Sequence, residues 1–267
     1  MVSLKSAREI EIMRRSGKIT SRVLTELMKT ARAGMSTAEL DAMAERGIRE
    51  RGGIPTFKGY HGFTGSICAS INDEVVHGIP GPRTLCDGDL LSIDIGTTFE
   101  GYVSDSAATV AIGNVSAAAR RLMDVTQESL MAGIAQMQTG NHVGDIGAAV
   151  QAYAEKHGYG VVRELVGHGV GRAMHEEPQV PNYGKAGTGM ELRPGLVLAI
   201  EPMITEGKHQ VKILKDGWTV VTADGKLAAH FEHTIAVTAD GPKILTLRDF
   251  AEHPDAERYR PPQEAIA

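Results

Sequence analysis

Apolar residues recur at helical spacing near the start of the chain, where Met13, Val23, Leu24, Leu27, Met28 and Ala31 follow Ser6-Ala7-Arg8-Glu9. This predicts a long amphipathic helix. Ser6 and Glu9 form a capping box at its start, each satisfying a backbone N–H that the first turn leaves free. Gly34 is the expected stop. Ser36-Thr37-Ala38-Glu39 repeats the box and opens a helix to about Arg51, before Gly52-Gly53. Ser116 caps a third helix, with Leu122, Met123, Leu130, Ile134 and Met137 on its apolar face, and a fourth runs from about Gly144 to His157. Between and after them, Leu90-Leu91-Ser92-Ile93-Asp94-Ile95, Leu196 to Glu201 and Thr234-Ile235-Ala236-Val237 read as short apolar strands bounded by turn residues. Helices and strands in this order give an α+β chain.

The order repeats. Gly34-x4-Glu39-Leu40 echoes Gly140-x4-Asp145-Ile146 at an offset of 106, and Gly88-x-Leu90-Leu91-x-Ile93-Asp94 echoes Gly195-x-Val197-Leu198-x-Ile200-Glu201 at 107. Two pairs sharing nearly one offset point to an internal duplication, with chance likeness between ordinary helices and strands as the alternative. Duplication implies one domain over residues 1–267, with halves of roughly 1–113 and 114–250 packed about a pseudo-twofold axis and a tail at 251–267. Asp94 and Glu201 then face each other across that axis.

Composition narrows the class. The 267 residues are 42% hydrophobic, Gly and Pro are spread rather than pooled, and the net charge of −5 comes without a basic run. No nucleic-acid footprint, low-complexity linker or bilayer-length apolar stretch is evident. Cys68 and Cys86 are the only cysteines, so reduced thiols are expected rather than a secreted disulfide framework. With no signal-peptide core after Met1, a cytoplasmic protein is expected.

Five residues carry candidate chemistry: Asp94, Asp105, His168, Glu201 and Glu232. Asp94 and Glu201 lie in apolar strands, where a lone carboxylate is expensive to bury unless paired or bound to a metal. Asp105 follows a hairpin-like return through Glu100-Gly101, Glu232 leads into a strand, and His168 sits in Gly167-His168-Gly169. Taken singly, Asp105 reads as a turn residue, Glu232 as a solvated edge acid and His168 as a hydrogen-bonded structural histidine. The matched strand acids are harder to dismiss, because both need a common compensating charge. Four carboxylates and one imidazole are a hard ligand set suited to Mn, Fe, Co or Zn. That charge suits two ions, which about 3.5–4 Å apart share and activate a bridging water.

The chain resembles type I methionine aminopeptidases, enzymes of the pita-bread fold. The matching stretches are Gly59-Tyr60-His61-Gly62-Phe63, Ser70 to Pro80 around His77, Ser92-Ile93-Asp94 with Asp105-Ser106, and Gly167 to Gly171. They continue with His175 to Val180, Ile200-Glu201-Pro202-Met203 and Phe231-Glu232-His233-Thr234. The resemblance runs from about residue 5 to 248. It implies that Asp94 chelates one of two divalent metal ions, Asp105 and Glu232 bridge both, and His168 and Glu201 complete the shell of the other. Glu201 is also implied as the proton shuttle, His77 as a contact to the scissile amide, and His175 as a donor to the developing oxyanion. Tyr60, Phe63, Cys68, His77 and Trp218 match the methionine pocket, with Trp218 closing it from a loop. Spacing alone leaves His77 and His175 open as structural histidines and Trp218 as an ordinary loop aromatic.

The implied substrates are nascent polypeptide N-termini beginning with Met and followed by a small residue. The implied setting is near the ribosome, with no nucleic-acid specificity, no membrane and a monomeric enzyme. Phe57 and Phe63 stand where some bacterial members carry Cys and Tyr, which touches inhibitor and metal preference more than the reaction. The rival readings are a proline-specific peptidase of the same fold and a metal-free binding module. Retention of all five ligands weighs against the second.

Overall fold

The computed structural model describes residues 2–248, so the expected tail at 251–267 lies outside the described residues. The chain opens with α1 (Ala7–Thr30) and α2 (Thr37–Glu50), and both carry the complete capping box expected of Ser6/Glu9 and Ser36/Glu39. The first helix ends at Thr30 rather than running to Gly34. Beyond it the chain is drawn into pairing with residues 83–85: Gly34 N–H donates to Leu85 O, and Leu85 N–H donates to Met35 O. Then follow β1 (Ile54–Pro55), β2 (Ile67–Ile71), β3 (Glu74–Val76), β4 (Leu90–Phe99) and β5 (Tyr102–Ala111).

The second half begins again with two helices, α3 (Ala117–Ala135) and α4 (Val143–Lys156). Its strands are β6 (Gly160–Val161), β7 (Gly167–Gly169), β8 (Glu176–Val180), β9 (Val197–Ile200) and β10 (Met203–Thr205). They continue with β11 (Val211–Ile213), β12 (Val220–Thr222), β13 (Ala228–His230), β14 (His233–Thr238) and β15 (Gly241–Ile244). All strand pairings among the described residues are antiparallel. The first half builds a four-stranded sheet on β4, and the second a five-stranded sheet in the order β15-β14-β9-β7-β8. The architecture is α+β.

The glycines that the sequence pairs share a backbone conformation. Gly34 and Gly140 both have φ near +90°, and so do Gly88 and Gly195, a left-handed conformation that glycine adopts without steric penalty. Gly140 N–H donates to Leu192 O just as Gly34 N–H donates to Leu85 O, and Leu192 N–H returns the bond to Asn141 O. Each half therefore closes the same loop onto its two helices before starting the strand that carries its acid. A core of apolar side chains from both halves, including Leu24, Leu40, Leu91, Ile93, Leu122, Ile146, Leu198 and Phe231, fills the space between helices and sheets.

Side-chain hydroxyls stitch the seam between the halves. Thr234 Oγ1 accepts from Asp105 N–H at 2.9 Å and donates to Asp105 O at 2.8 Å. Thr109 Oγ1 makes the same reciprocal pair with the backbone of His230, and Ser106 Oγ donates to Glu232 O. β5 of one half is thereby fixed against β13 and β14 of the other without a continuous backbone ladder. A second junction pairs β3 with β12, which brings the segment after β3 beside the loop before β12.

Candidate active site

The β4–β5 hairpin turns through Glu100 and Gly101, both at positive φ, as a two-residue turn requires. Its register pairs Asp94 with Ala107 and Gly96 with Asp105, so the two aspartates are diagonal neighbours on one face. The side chains come within hydrogen-bonding reach of each other. Gly96 is obligatory here, because a Cβ would sit 2.6 Å from the Phe57 ring.

From the second half, Glu201 follows β9, His168 lies in β7 and Glu232 lies between β13 and β14. His168 Nε2 is 3.5 Å from Glu201 Oε1 and 4.0 Å from Asp105 Oδ2. One ligand atom each from Asp105, His168 and Glu232 falls within 4.8 Å of the others, and all three residues are buried. His168 Nδ1 is 2.9 Å from Gly169 O. A carbonyl only accepts, so Nδ1 carries the proton and the Nε2 lone pair faces the carboxylates. That tautomer is the one a metal-ligating histidine uses.

The electrostatics are unusual for a folded interior. Burial, reinforced by neighbouring carboxylates, pushes Asp94, Glu201 and Glu232 well above the ordinary carboxyl range, and burial raises Asp105 as well. Asp94 Oδ1, Asp105 Oδ1 and Glu232 Oε1 are sealed from solvent with no hydrogen-bond partner. Each uncompensated buried ion costs several kcal/mol, so four such groups in contact require protons or cations. Sealed oxygens, a lone pair aimed among them and an all-oxygen-plus-imidazole donor set fit divalent metal ions.

A pocket opens over these groups, lined by Tyr60, Phe63, Cys68, His77, His175 and Trp218, all six expected from the sequence. Phe63 meets the Trp218 indole edge-on at 5.1 Å, and His77 lies 6.4 Å from it. Trp218 is held by Asp216, whose carboxylate accepts from the N–H groups of Trp218 and Thr219 and from the Thr219 hydroxyl. His77 sits at φ +60°, a strained conformation for a side chain with a Cβ. The following Gly78 leaves no room for a Cβ, which would lie 2.5 Å from Ala69 O. Burial, with His175 nearby, lowers the His77 imidazole to about 4. His168 falls likewise to about 4, and burial with His61 nearby lowers His175. All three are neutral at pH 7. Burial also keeps the Cys68 thiol protonated, helped by Asp94 and its neighbours.

The sequence reading missed Leu165, Val166, Met174 and Met203, which complete the apolar wall, and His230, whose Nε2 is 3.8 Å from Glu201 Oε2. His230 is buried and neither ring nitrogen makes a hydrogen bond. Its place two residues before Glu232 was the available signal. Alternation along so short a strand carries little weight. Cys86 is exposed and remote from this site, and both cysteines are free.

Residues 11–239 match the model of metallopeptidase family M24. Methionine aminopeptidase 1 of Bacillus subtilis is 53% identical over 92% of this chain and 99% of its own length. The chain belongs to the methionine aminopeptidases of family M24. Among solved structures, methionine aminopeptidase from Rickettsia prowazekii superposes with a TM-score of 0.91 at 40% identity, covering 92% of this chain and 100% of that one. The prolidase from Pyrococcus furiosus superposes at 0.76 but is only 21% identical, and this chain covers 66% of it. That second likeness extends to the fold alone, the pita-bread architecture common to both. As a member of M24 the enzyme is a metallo-exopeptidase hydrolase that uses divalent metal ions. Among the described residues no helix is long and apolar enough to cross a membrane.

Proposed function

We propose that the enzyme removes the N-terminal methionine from newly made cytoplasmic proteins, preferring a small second residue, and that it uses two divalent metal ions. The observation that carries this reading is the convergence of Asp94 and Asp105 from one half with His168, Glu201 and Glu232 from the other, beneath an apolar pocket. Asp94, Asp105, His168, Glu201 and Glu232 would hold the ions, and Mn, Fe, Co and Zn are all compatible with these donors. When bound, the ions supply Lewis-acid chemistry that acidifies water and polarises the peptide carbonyl.

The protein's own groups do the rest. The methionine thioether enters between Phe63, Trp218 and Cys68, where sulfur–aromatic contact favours it. The Tyr60 hydroxyl lies 2.7 Å from His175 Nδ1. With Tyr60 donating, the imidazole proton sits on Nε2 and points at the carbonyl oxygen that becomes negative during attack. His77, fixed by its strained backbone, meets the scissile nitrogen. Glu201 accepts a proton from the attacking water and returns it to the leaving amine. A bulky second side chain collides with the wall that carries the histidines.

The test is metal content per chain, measured alongside cleavage of Met-Gly-Xaa and Xaa-Pro peptides after addition of Mn or Co. Two metal ions per chain and release of methionine from the first peptide are expected. Absence of methionine release with every divalent metal tried would overturn the reading in favour of a binding module. Preference for the Xaa-Pro peptide would favour the prolidase alternative.

A further inference from the structure

The pocket segment that carries His175 is tied to the N-terminal arm ahead of α1. Lys5 is buried, and its ammonium donates to Glu176 Oε2 at 2.6 Å and to Ser3 O at 2.9 Å. Its backbone N–H donates to Gly195 O at 2.7 Å, just ahead of β9. The other oxygen of Glu176 accepts from the N–H groups of Arg172 and Ala173 at 2.8 and 3.2 Å. One carboxylate thus closes residues 172–176 into a loop and pins that loop to the arm. Burial works against the Glu176 charge, but Lys5 and the two amides outweigh it and hold the carboxyl below its ordinary range. Gly171 shows how tightly the pieces fit, since a Cβ there would lie 2.4 Å from Glu176 Oε1 and 2.6 Å from Lys5 Cε. A second tie runs alongside: the Tyr102 hydroxyl donates to Glu9 Oε1 at 2.6 Å, and the Arg172 guanidinium stacks 4.5 Å over the Tyr102 ring.

His175 is the residue next to Glu176, and it lines the pocket while keeping part of its surface exposed. Its ring touches His168 at 4.3 Å between centroids and Tyr60 through one hydrogen bond. Neither neighbour fixes the backbone from which the ring projects. Glu176 does so in two ways, through its backbone register with Gly169 of β7 and through its side-chain ion pair with Lys5.

We infer that Lys5 is a positioning residue for the reaction, acting through Glu176 to hold the His175 loop in the geometry that presents the imidazole to the substrate. The inference rests on the role given above to His175, and none of these groups is among the candidate metal ligands.

The experiment compares Lys5→Met, His175→Ala and the double variant in the metal-loaded enzyme, with metal content and amide hydrogen exchange measured on each. Lys5→Met should lower kcat on the order of tenfold with KM changed less than about twofold, since a sub-ångström misplacement of a group that acts on the transition state falls mainly on kcat. Metal content should stay unchanged, and the Arg172 and Ala173 amides should lose exchange protection. In the His175→Ala background the same substitution should cost little further, because the group it positions is gone. Glu176→Gln breaks the ion pair from its other end and should repeat the pattern if Lys5→Met does not fold. Equal losses from Lys5→Met in both backgrounds would overturn the inference while leaving the His175 role intact. Full activity of His175→Ala would overturn both.

Discussion

The proposed proton shuttle places its demands on Glu201. One of its carboxylate oxygens faces His168 and the other faces the His230 ring. A glutamine there keeps the shape and loses the ability to take up a proton. Glu201→Gln is therefore expected to retain the fold and melting temperature but lose about 10²- to 10⁴-fold in kcat, the usual worth of positioned acid–base catalysis. Near-normal turnover of that variant on a Met-Gly-Xaa peptide would remove Glu201 from the shuttle role. At this scale the presence of buried acids was readable in advance. A carboxylate within a run such as Leu90 to Ile95 or Leu196 to Ile200 contradicts its surroundings and so advertises a compensating charge. Lys5, His230 and Thr234 gave no such contradiction. A lysine near a chain start, a histidine in a short strand and a threonine in a β segment all look ordinary until their neighbours are known.

Among the elements, the four helices were the most legible. Their ends are written in local chemistry: the Ser6 and Ser36 boxes and the Ser116 cap all form as expected. The fourth helix begins one residue ahead of Gly144, with Asp145 accepting from the His142 N–H in place of a serine cap. Strands of two or three residues, such as β3, β10 and β12, are too short to show a period. They exist because partners distant in sequence complete them. The β5–β14 seam is the element-level device that matters most for the site, since Thr234 Oγ1 holds both backbone groups of Asp105. Thr234→Val preserves shape but leaves a buried N–H without its acceptor, which costs about 1–3 kcal/mol. Chemical denaturation should register that loss, and a metal titration should show weaker retention because Asp105 is freed to rotate. An unchanged metal affinity would mean that Asp105 is held by its strand alone.

Across the whole molecule, the fold gathers like charges that repel, and this makes stability depend on both pH and metal. In the metal-free protein the raised carboxyl groups of Asp94, Glu201 and Glu232 keep their protons to higher pH than the same groups in the unfolded chain. The folded state then binds more protons than the unfolded one, so stability must fall as pH rises from about 4 through the raised values. Bound cations take the place of those protons. The rise in melting temperature on adding Mn is accordingly expected to be small at pH 5 and to grow toward pH 8. A gain that is constant across that range would show that the carboxylates are already ionised and compensated without metal.

The sequence by itself determined the four helices, the two acid-bearing strands and the residue types of the buried carboxylate cluster. Each of these is a local property, set by caps, periodicity and the cost of burying charge. Only the tertiary structure decided that Asp105 lies diagonal to Asp94, that His168 turns its lone pair toward Glu201, and that an N-terminal lysine grips the loop of His175. Those facts depend on strand register and on packing between segments separated along the chain, by 171 residues in the case of Lys5 and Glu176. Pairwise distances of that kind are fixed by the whole core closing at once, and no local pattern records them.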